Sequence, residues 1–155
     1  HSTTYLMIKK LLHESLQGKS VLDMGCGTGI LAILSYKKGA EKICAIDNDE
    51  WAFQNTQENI KLNKTSDIEV IQGDSKSIPD SNYDIIIANI NRNILLQDIP
   101  LYAKKLKDSG KLLLSGIYIN DLPYIKEKAE KYQLRYSSHD KDNEWIAAEF
   151  VKKNE

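Results

Sequence analysis

The sequence has few cysteines, no long apolar run and no surplus of charge of either sign, and each shortage excludes a class of protein. The two cysteines, Cys26 and Cys44, are too few and too far apart for a disulfide framework, and neither has a histidine close by to make a zinc site. Cys44 lies in an apolar run and reads as a buried thiol. Cys26 lies among glycines and reads as a small residue that fits a tight loop. A reduced, cytoplasmic protein is the simplest expectation. Apolar runs such as Ile85-Ile86-Ile87-Ala88 are strand-sized, far short of the roughly 20 residues of a membrane-spanning helix. No signal-peptide pattern opens the chain. With 21 basic against 22 acidic residues, the net charge is −1, so no direct nucleic-acid binding is expected. The densest basic cluster, Lys104, Lys105 and Lys107, reads as a solvated helix end, where cations suit the dipole. His13 and His139 are isolated and read as surface residues, so no metal is expected.

What is present is an ordinary globular composition, 41% hydrophobic and 28% charged over 155 residues, the size of one domain. Helical and strand patterns alternate along it. Ile8, Leu11, Leu12 and Leu16 mark a first helical face, stopped by Gly18. Val21-Leu22 is a buried strand, and Ile30 to Tyr36 a helix ended by Gly39. Ile43 to Ile46 is a second strand ending in Asp47. Residues 50–62 form a helix with Phe53, Thr56 and Ile60 on one side. Ile68 to Ile71 and Tyr83 to Ile90 are the third and fourth strands. A helical stretch from Asn91 to Lys107 is expected to restart at Pro100, since proline suits a first turn and breaks an interior. Leu112 to Ser115 is a fifth strand. Ile125, Ala129 and Tyr132 share a helical face that Asn120 or Asp121 caps, with Pro123 in the first turn. Two final strands, Leu134 to Ser138 and Trp145 to Val151, flank the polar Asp140-Lys141-Asp142-Asn143.

The first five strands do not alternate in polarity, so they are expected to be buried on both faces. The last two are joined too closely for a crossover and must form an antiparallel hairpin. The fold class is therefore α/β: a doubly wound, mostly parallel seven-stranded sheet with a C-terminal antiparallel hairpin.

The sharpest motif follows the first strand. Asp23-x-Gly25-x-Gly27-x-Gly29 runs straight into a helix, and such a loop turns tightly and lets a ligand approach its backbone. Dinucleotide folds use G-x-G-x-x-G, which would require glycine at position 30. That position is Ile30, and the third glycine falls at Gly29. Asp47 ends the next strand 22 residues after Gly25, where a carboxylate can accept both hydroxyls of a ribose. Its alternative is a helix N-cap, a role that Asn48 or Asp49 can fill equally well. Gly73-Asp74-Ser75 ends the third strand, where an adenine would lie. Asn89 ends the fourth. From the residues alone, a strand-end amide satisfying local backbone is as good a reading of Asn89 as a ligand contact.

With these residues the chain resembles class I S-adenosylmethionine-dependent methyltransferases. More narrowly, it resembles the catalytic domain of the ribosomal protein L11 methyltransferase family. The narrower likeness is carried by His1-Ser2-Thr3-Thr4, Ala88-Asn89-Ile90, Ser115-Gly116-Ile117 and Glu144-Trp145. It covers nearly the whole chain and implies a Rossmann-like methyltransferase fold over residues 1–155. The cofactor it implies is S-adenosyl-L-methionine, with S-adenosyl-L-homocysteine as product. Thr4, Gly25, Asp47 and Asn89 match the family's cofactor-contacting positions, and the loop adds Asp23, Gly27, Gly29 and, further on, Asp74. His1 and Thr3 would line the methionine end, and Trp145 would either wall the substrate or pack the last strand. Asn89 is also the candidate catalytic residue, aiming an amine at the methyl group. The family's usual His-Pro-Thr-Thr reads His-Ser-Thr-Thr here.

The implied activity is methylation of amine nitrogens of a ribosomal protein. The implied full-length protein carries an N-terminal substrate-recognition domain upstream of His1. A small-molecule methyltransferase and an inactive cofactor-binding module are the alternatives on the same fold. The Asn-Pro-Pro-aromatic segment of glutamine and adenine methyltransferases is absent, and neither cysteine follows a proline as a carbon-methylating nucleophile would.

Overall fold

A computed structural model describes residues 2–153, apart from the side chain of Ser2. The candidate His1 lies outside the described residues. The chain order is α1 (Ser2–Leu12), β1 (Ser20–Met24), α2 (Ile30–Lys37), β2 (Lys42–Asp47), α3 (Glu50–Leu62), β3 (Glu69–Gln72), β4 (Tyr83–Asn89), α4 (Arg92–Lys105), β5 (Leu106–Tyr118), α5 (Leu122–Glu130), β6 (Leu134–Asp142) and β7 (Trp145–Lys152). Short 3₁₀ turns occupy Ser75–Ser77 and Ile119–Asp121.

The strands form one seven-stranded sheet in the order β3-β2-β1-β4-β5-β7-β6. Pairing is parallel from β3 to β5, and β7 runs antiparallel between β5 and β6. The expected fold class, doubly wound with a C-terminal hairpin, is what the chain forms. Successive residues of each inner strand supply opposite faces. Leu22, Ile86, Leu112 and Leu114 join a core under α4 and α5. Val21, Ile85, Ile87 and Leu113 join a second core under α1, α2 and α3. Burial on both faces explains why these strands read as unbroken apolar runs.

Several local expectations need correction. Leu12 is exposed, and the inward face of α1 carries Thr3, Leu6, Met7 and Leu11. This set and the expected Ile8, Leu11, Leu12 and Leu16 both run i, i+3, i+4, i+8, so the repeat marked a helix without fixing which face turns inward. Pro100 does not restart a helix, because α4 runs through it. Leu95, Asp98, Ile99 and Tyr102 form one continuous buried stripe on both sides of it. Packing of that stripe outweighs the one backbone hydrogen bond a proline forfeits. Lys107 is not at a helix end. It is the second residue of the long β5 and donates to Asp84 at 3.2 Å. β6 extends through Asp142, because Asp140 to Asp142 pair with Ala147 to Trp145. The hairpin turn shrinks to Asn143-Glu144, with Asn143 at φ 57°, a conformation asparagine tolerates.

Asp121 does not place its side chain on α5. It accepts from the Tyr118 backbone N–H at 2.9 Å and from Arg92 at 3.3 Å. Among the described residues, no helix is long and apolar enough to cross a membrane.

Candidate active site

The strand order reverses between β1 and β4, and open α/β sheets bind ligands beyond the carboxyl ends of the strands at such a point. Gly25 after β1, Asp47 at the end of β2, Asp74 after β3 and Asn89 at the end of β4 line one cavity of about 270 Å³ there. A second, of about 310 Å³, lies across Asn89 and is bounded by Thr3, Thr4, Gly116 and Trp145. Asn89, Ile90 and Asn91 border both. The structure thus brings together residues that sequence reading placed on separate strands. A wider concavity of about 450 Å³ along Gln57, Lys61 and Val70 lies by the end of α3 and β3. It holds none of the residues that converge at the carboxyl edge.

Asp47 owes its setting to backbone donors. Its Oδ2 accepts from the Gly27 N–H at 3.0 Å and its Oδ1 from the Asp49 N–H at 3.0 Å. A carboxylate has about four acceptor sites, so two stay available for a pair of hydroxyls. The N-cap role belongs to Asp49, which accepts from the Ala52 N–H at 3.1 Å. Asp74 Oδ1 caps the following turn by accepting from the Lys76 N–H at 2.9 Å, so a contact to a base would fall to Oδ2.

Asn89 sits in a slot cut by two glycines. Gly25 has φ 75°, and a Cβ there would lie 2.7 Å from the Asn89 carbonyl oxygen. Gly116 has φ 81°, and a Cβ there would lie 2.7 Å from Asn89 Oδ1. Either addition would drive the strand-end amide out of place. Gly116 occupies a β-bulge, where the β5–β7 register slips between Leu114 and Ile117.

Asp23, Gly27 and Gly29 do not line the cavity. Gly27 serves Asp47 through its N–H, and Gly29 is the residue before α2, packed on Thr56. Asp23 lies fully buried within β1, and neither carboxylate oxygen makes a well-formed hydrogen bond; the Ala32 backbone N–H is the donor that acts on it. Burial, then repulsion from Asp47, pushes its pKa up to about 7, against the pull of the Ala32 backbone N–H. Cys26 is buried, hydrogen-bonded to Thr56 at 3.3 Å, and its thiol is pushed up to about 12, first by desolvation and then by Asp23. It is packing, as expected.

Sequence reading missed Asp98, and it named Ser75 and Gly116 only as members of their segments. Asp98 borders the inner cavity and accepts from Ser75 Oγ at 3.0 Å. Burial, opposed by Ser75 and Tyr102, holds its pKa above the usual carboxylate range. Its signal was legible: a charged residue between Leu95 and Ile99 on an apolar helical stripe. Gly116 was legible within Ser115-Gly116-Ile117, but its part in making room for Asn89 was not, since a bulge cannot be seen before the pairing is known.

Sheet order, reversal point and converging strand ends define a Rossmann-like methyltransferase fold. A solved ribosomal protein L11 methylase from Lactobacillus delbrueckii subsp. bulgaricus superposes with a TM-score of 0.93 at 30% identity, over 99% of this chain and 80% of that one. The sequence profile of the family Ribosomal protein L11 methyltransferase (PrmA) matches residues 1–153, and the chain belongs to that family. It is 49% identical to the ribosomal protein L11 methyltransferase of Bacteroides fragilis over 152 residues, which cover 97% of this chain and 54% of the relative. The Porphyromonas gingivalis relative is 50% identical over 97% of this chain and 52% of its own length. The chain thus spans about half the length of these curated relatives.

Proposed function

We propose that this chain is the catalytic domain of an enzyme that moves methyl groups from S-adenosyl-L-methionine to amine nitrogens of ribosomal protein L11, at lysine side chains or the α-amino group. The missing half of the relatives' length is where an N-terminal substrate-recognition domain would lie. The observation that carries the reading is Asn89, wedged between Gly25 and Gly116 and bordering both the cavity with Asp47 and the cavity with Trp145.

The residues present fit the cofactor. Asp47 keeps acceptor capacity for two ribose hydroxyls, and Gly25, where a Cβ would meet the Asn89 carbonyl, leaves backbone open to a ligand in the same cavity. When bound, S-adenosyl-L-methionine supplies an activated methyl group; the protein supplies position and exclusion of water. Asp47 and Asp74 would hold the nucleoside. Thr4 and Asn89 border the outer cavity, where the methionine end and the acceptor amine would meet. The amide oxygen of Asn89 would accept a hydrogen bond from the incoming unprotonated amine and so aim its lone pair. The substrate ammonium first gives up a proton to solvent, the neutral amine then takes the methyl group, and the product ammonium can release a further proton to solvent afterwards.

The test is transfer of labelled methyl groups to ribosomal protein L11 by the full-length protein. Asn89→Ala is expected to lower kcat by about 100-fold, the scale for removing one positioned hydrogen-bonding group. A full-length enzyme that binds the cofactor but methylates only small amines would replace the protein substrate with a small-molecule one. No transfer to either would leave a binding module.

A further inference from the structure

The outer cavity does not end at Trp145. It continues into a vestibule of about 520 Å³ that shares Asn91, Gly116 and Trp145 with it and adds Tyr118, Arg92 and Asp121. Tyr118 stacks on Trp145 with ring centroids 4.2 Å apart and planes 28° from parallel. Yet Tyr118 stays 46% exposed. An aromatic ring that is half open to water and lines a groove leading to the reacting centre has a face to offer a ligand.

The pair is built into the sheet. Tyr118 and Trp145 are register partners across β5 and β7. The bulge at Gly116 shifts β5 by one residue just before Tyr118, which sets the face on which its ring emerges. Asp121 accepts from the Tyr118 N–H at 2.9 Å, and the Ile119 N–H donates to the Glu144 carbonyl at 2.9 Å. The charges of the vestibule are spent on each other, since Arg92 pairs with Asp121 at 3.3 Å. What remains for a ligand, beside the amides of Asn91 and Asn93, is an aromatic wall leading inward to Asn89. An amine on a long aliphatic stem fits such a wall, because its methylenes pack on ring faces and its cationic forms gain from them.

We propose that Tyr118 is a specificity-determining residue, its ring and that of Trp145 forming the wall along which a lysine-like side chain reaches Asn89. This rests on the amine-methylation reading above. The test uses full-length protein carrying Trp51→Phe, so that Trp145, the remaining tryptophan of this domain, reports at the wall. A lysine-bearing peptide from ribosomal protein L11 is titrated by difference fluorescence, and methyl transfer to the whole ribosomal protein is followed in parallel.

Tyr118→Ala is expected to weaken peptide binding and raise KM for the protein about tenfold, the scale of about two methylenes packed on the ring. Affinity for S-adenosyl-L-methionine and the melting temperature should hold. Tyr118→Phe should restore the wild-type KM, since the ring face and not the hydroxyl is used. An unchanged KM in Tyr118→Ala, a Tyr118→Phe as impaired as Tyr118→Ala, or an equal loss of cofactor affinity would overturn the proposal. A parent protein that binds the peptide through Tyr118 but transfers no methyl group would refute the enzymatic reading and leave the wall standing. One that transfers methyl groups yet ignores Tyr118 would do the reverse. One that neither binds nor transfers refutes both.

Discussion

The fully buried Asp23 makes the stability of this domain depend on pH in an unusual direction. Its carboxyl is raised from 3.8 to about 7 in the folded protein, by desolvation first and Asp47 second. Between those values the folded chain holds a proton that the unfolded chain has released. Stability therefore falls as pH rises from about 4 to about 7, and levels off above. The opposite holds for a salt-bridged aspartate, whose contribution is lost on acidification. At 1.36 kcal/mol per pH unit, a move from 3.8 to about 7 corresponds to about 4 kcal/mol.

Asp23→Asn keeps the shape and removes the ionisation. Urea unfolding of both proteins at several pH values between 4 and 8 gives the difference in stability, in which the other titrating groups cancel. The variant is expected to gain on the wild type from about pH 4 to about pH 7, by about 2–4 kcal/mol in total, and to hold that gain above. A difference that is flat with pH, or a wild type that gains on the variant as pH rises, would refute the account of Asp23.

Other expectations follow from single contacts. Gly25→Ala places a Cβ 2.7 Å from the Asn89 carbonyl oxygen at φ 75°, so it should cost about 1–3 kcal/mol by denaturant titration and abolish cofactor binding. Gly116→Ala meets the Asn89 side chain, so it should reduce methyl transfer far more than affinity for the cofactor, which assay and calorimetry separate. Cys26 and Cys44 are both free and buried, with pKa pushed up to about 12 chiefly by desolvation. In native protein at pH 8 both should resist a thiol reagent that labels them at once in denaturant.

Asp84 is held below the usual carboxylate range. Burial opposes its charge, but the Ser20 backbone N–H, Lys107 and the Ser20 hydroxyl outweigh it. Asp84→Ala should therefore cost about 1–3 kcal/mol at neutral pH, leaving the Ser20 N–H unpaired, as a thermal melt will show. That difference should shrink as the solution is acidified below 3.8.

The layers of the fold were legible because the signals were local. Runs such as Ile85 to Ala88 give their double burial away, and a short polar link between two strands permits only a hairpin. What was not legible depended on pairing. β5 extends to Tyr118 only because β7 lies beside it, the bulge at Gly116 exists only in that register, and Pro100 stays helical only because its stripe packs on the sheet. The site divides the same way. Asp47 and Asn89 could be named from motif and strand end. That Gly25 and Gly116 both make room for Asn89, or that Tyr118 lies on Trp145, required the sheet itself.

The central claim is that the cleft takes S-adenosyl-L-methionine through Asp47. Calorimetric titration of the full-length protein with S-adenosyl-L-methionine and with NAD, beside Asp47→Ala, tests it most directly. The account predicts binding of S-adenosyl-L-methionine, no binding of NAD, and a loss of about tenfold or more in the variant, the scale of a charge-assisted hydrogen bond. Preference for NAD, or an affinity for S-adenosyl-L-methionine untouched by Asp47→Ala, would contradict it.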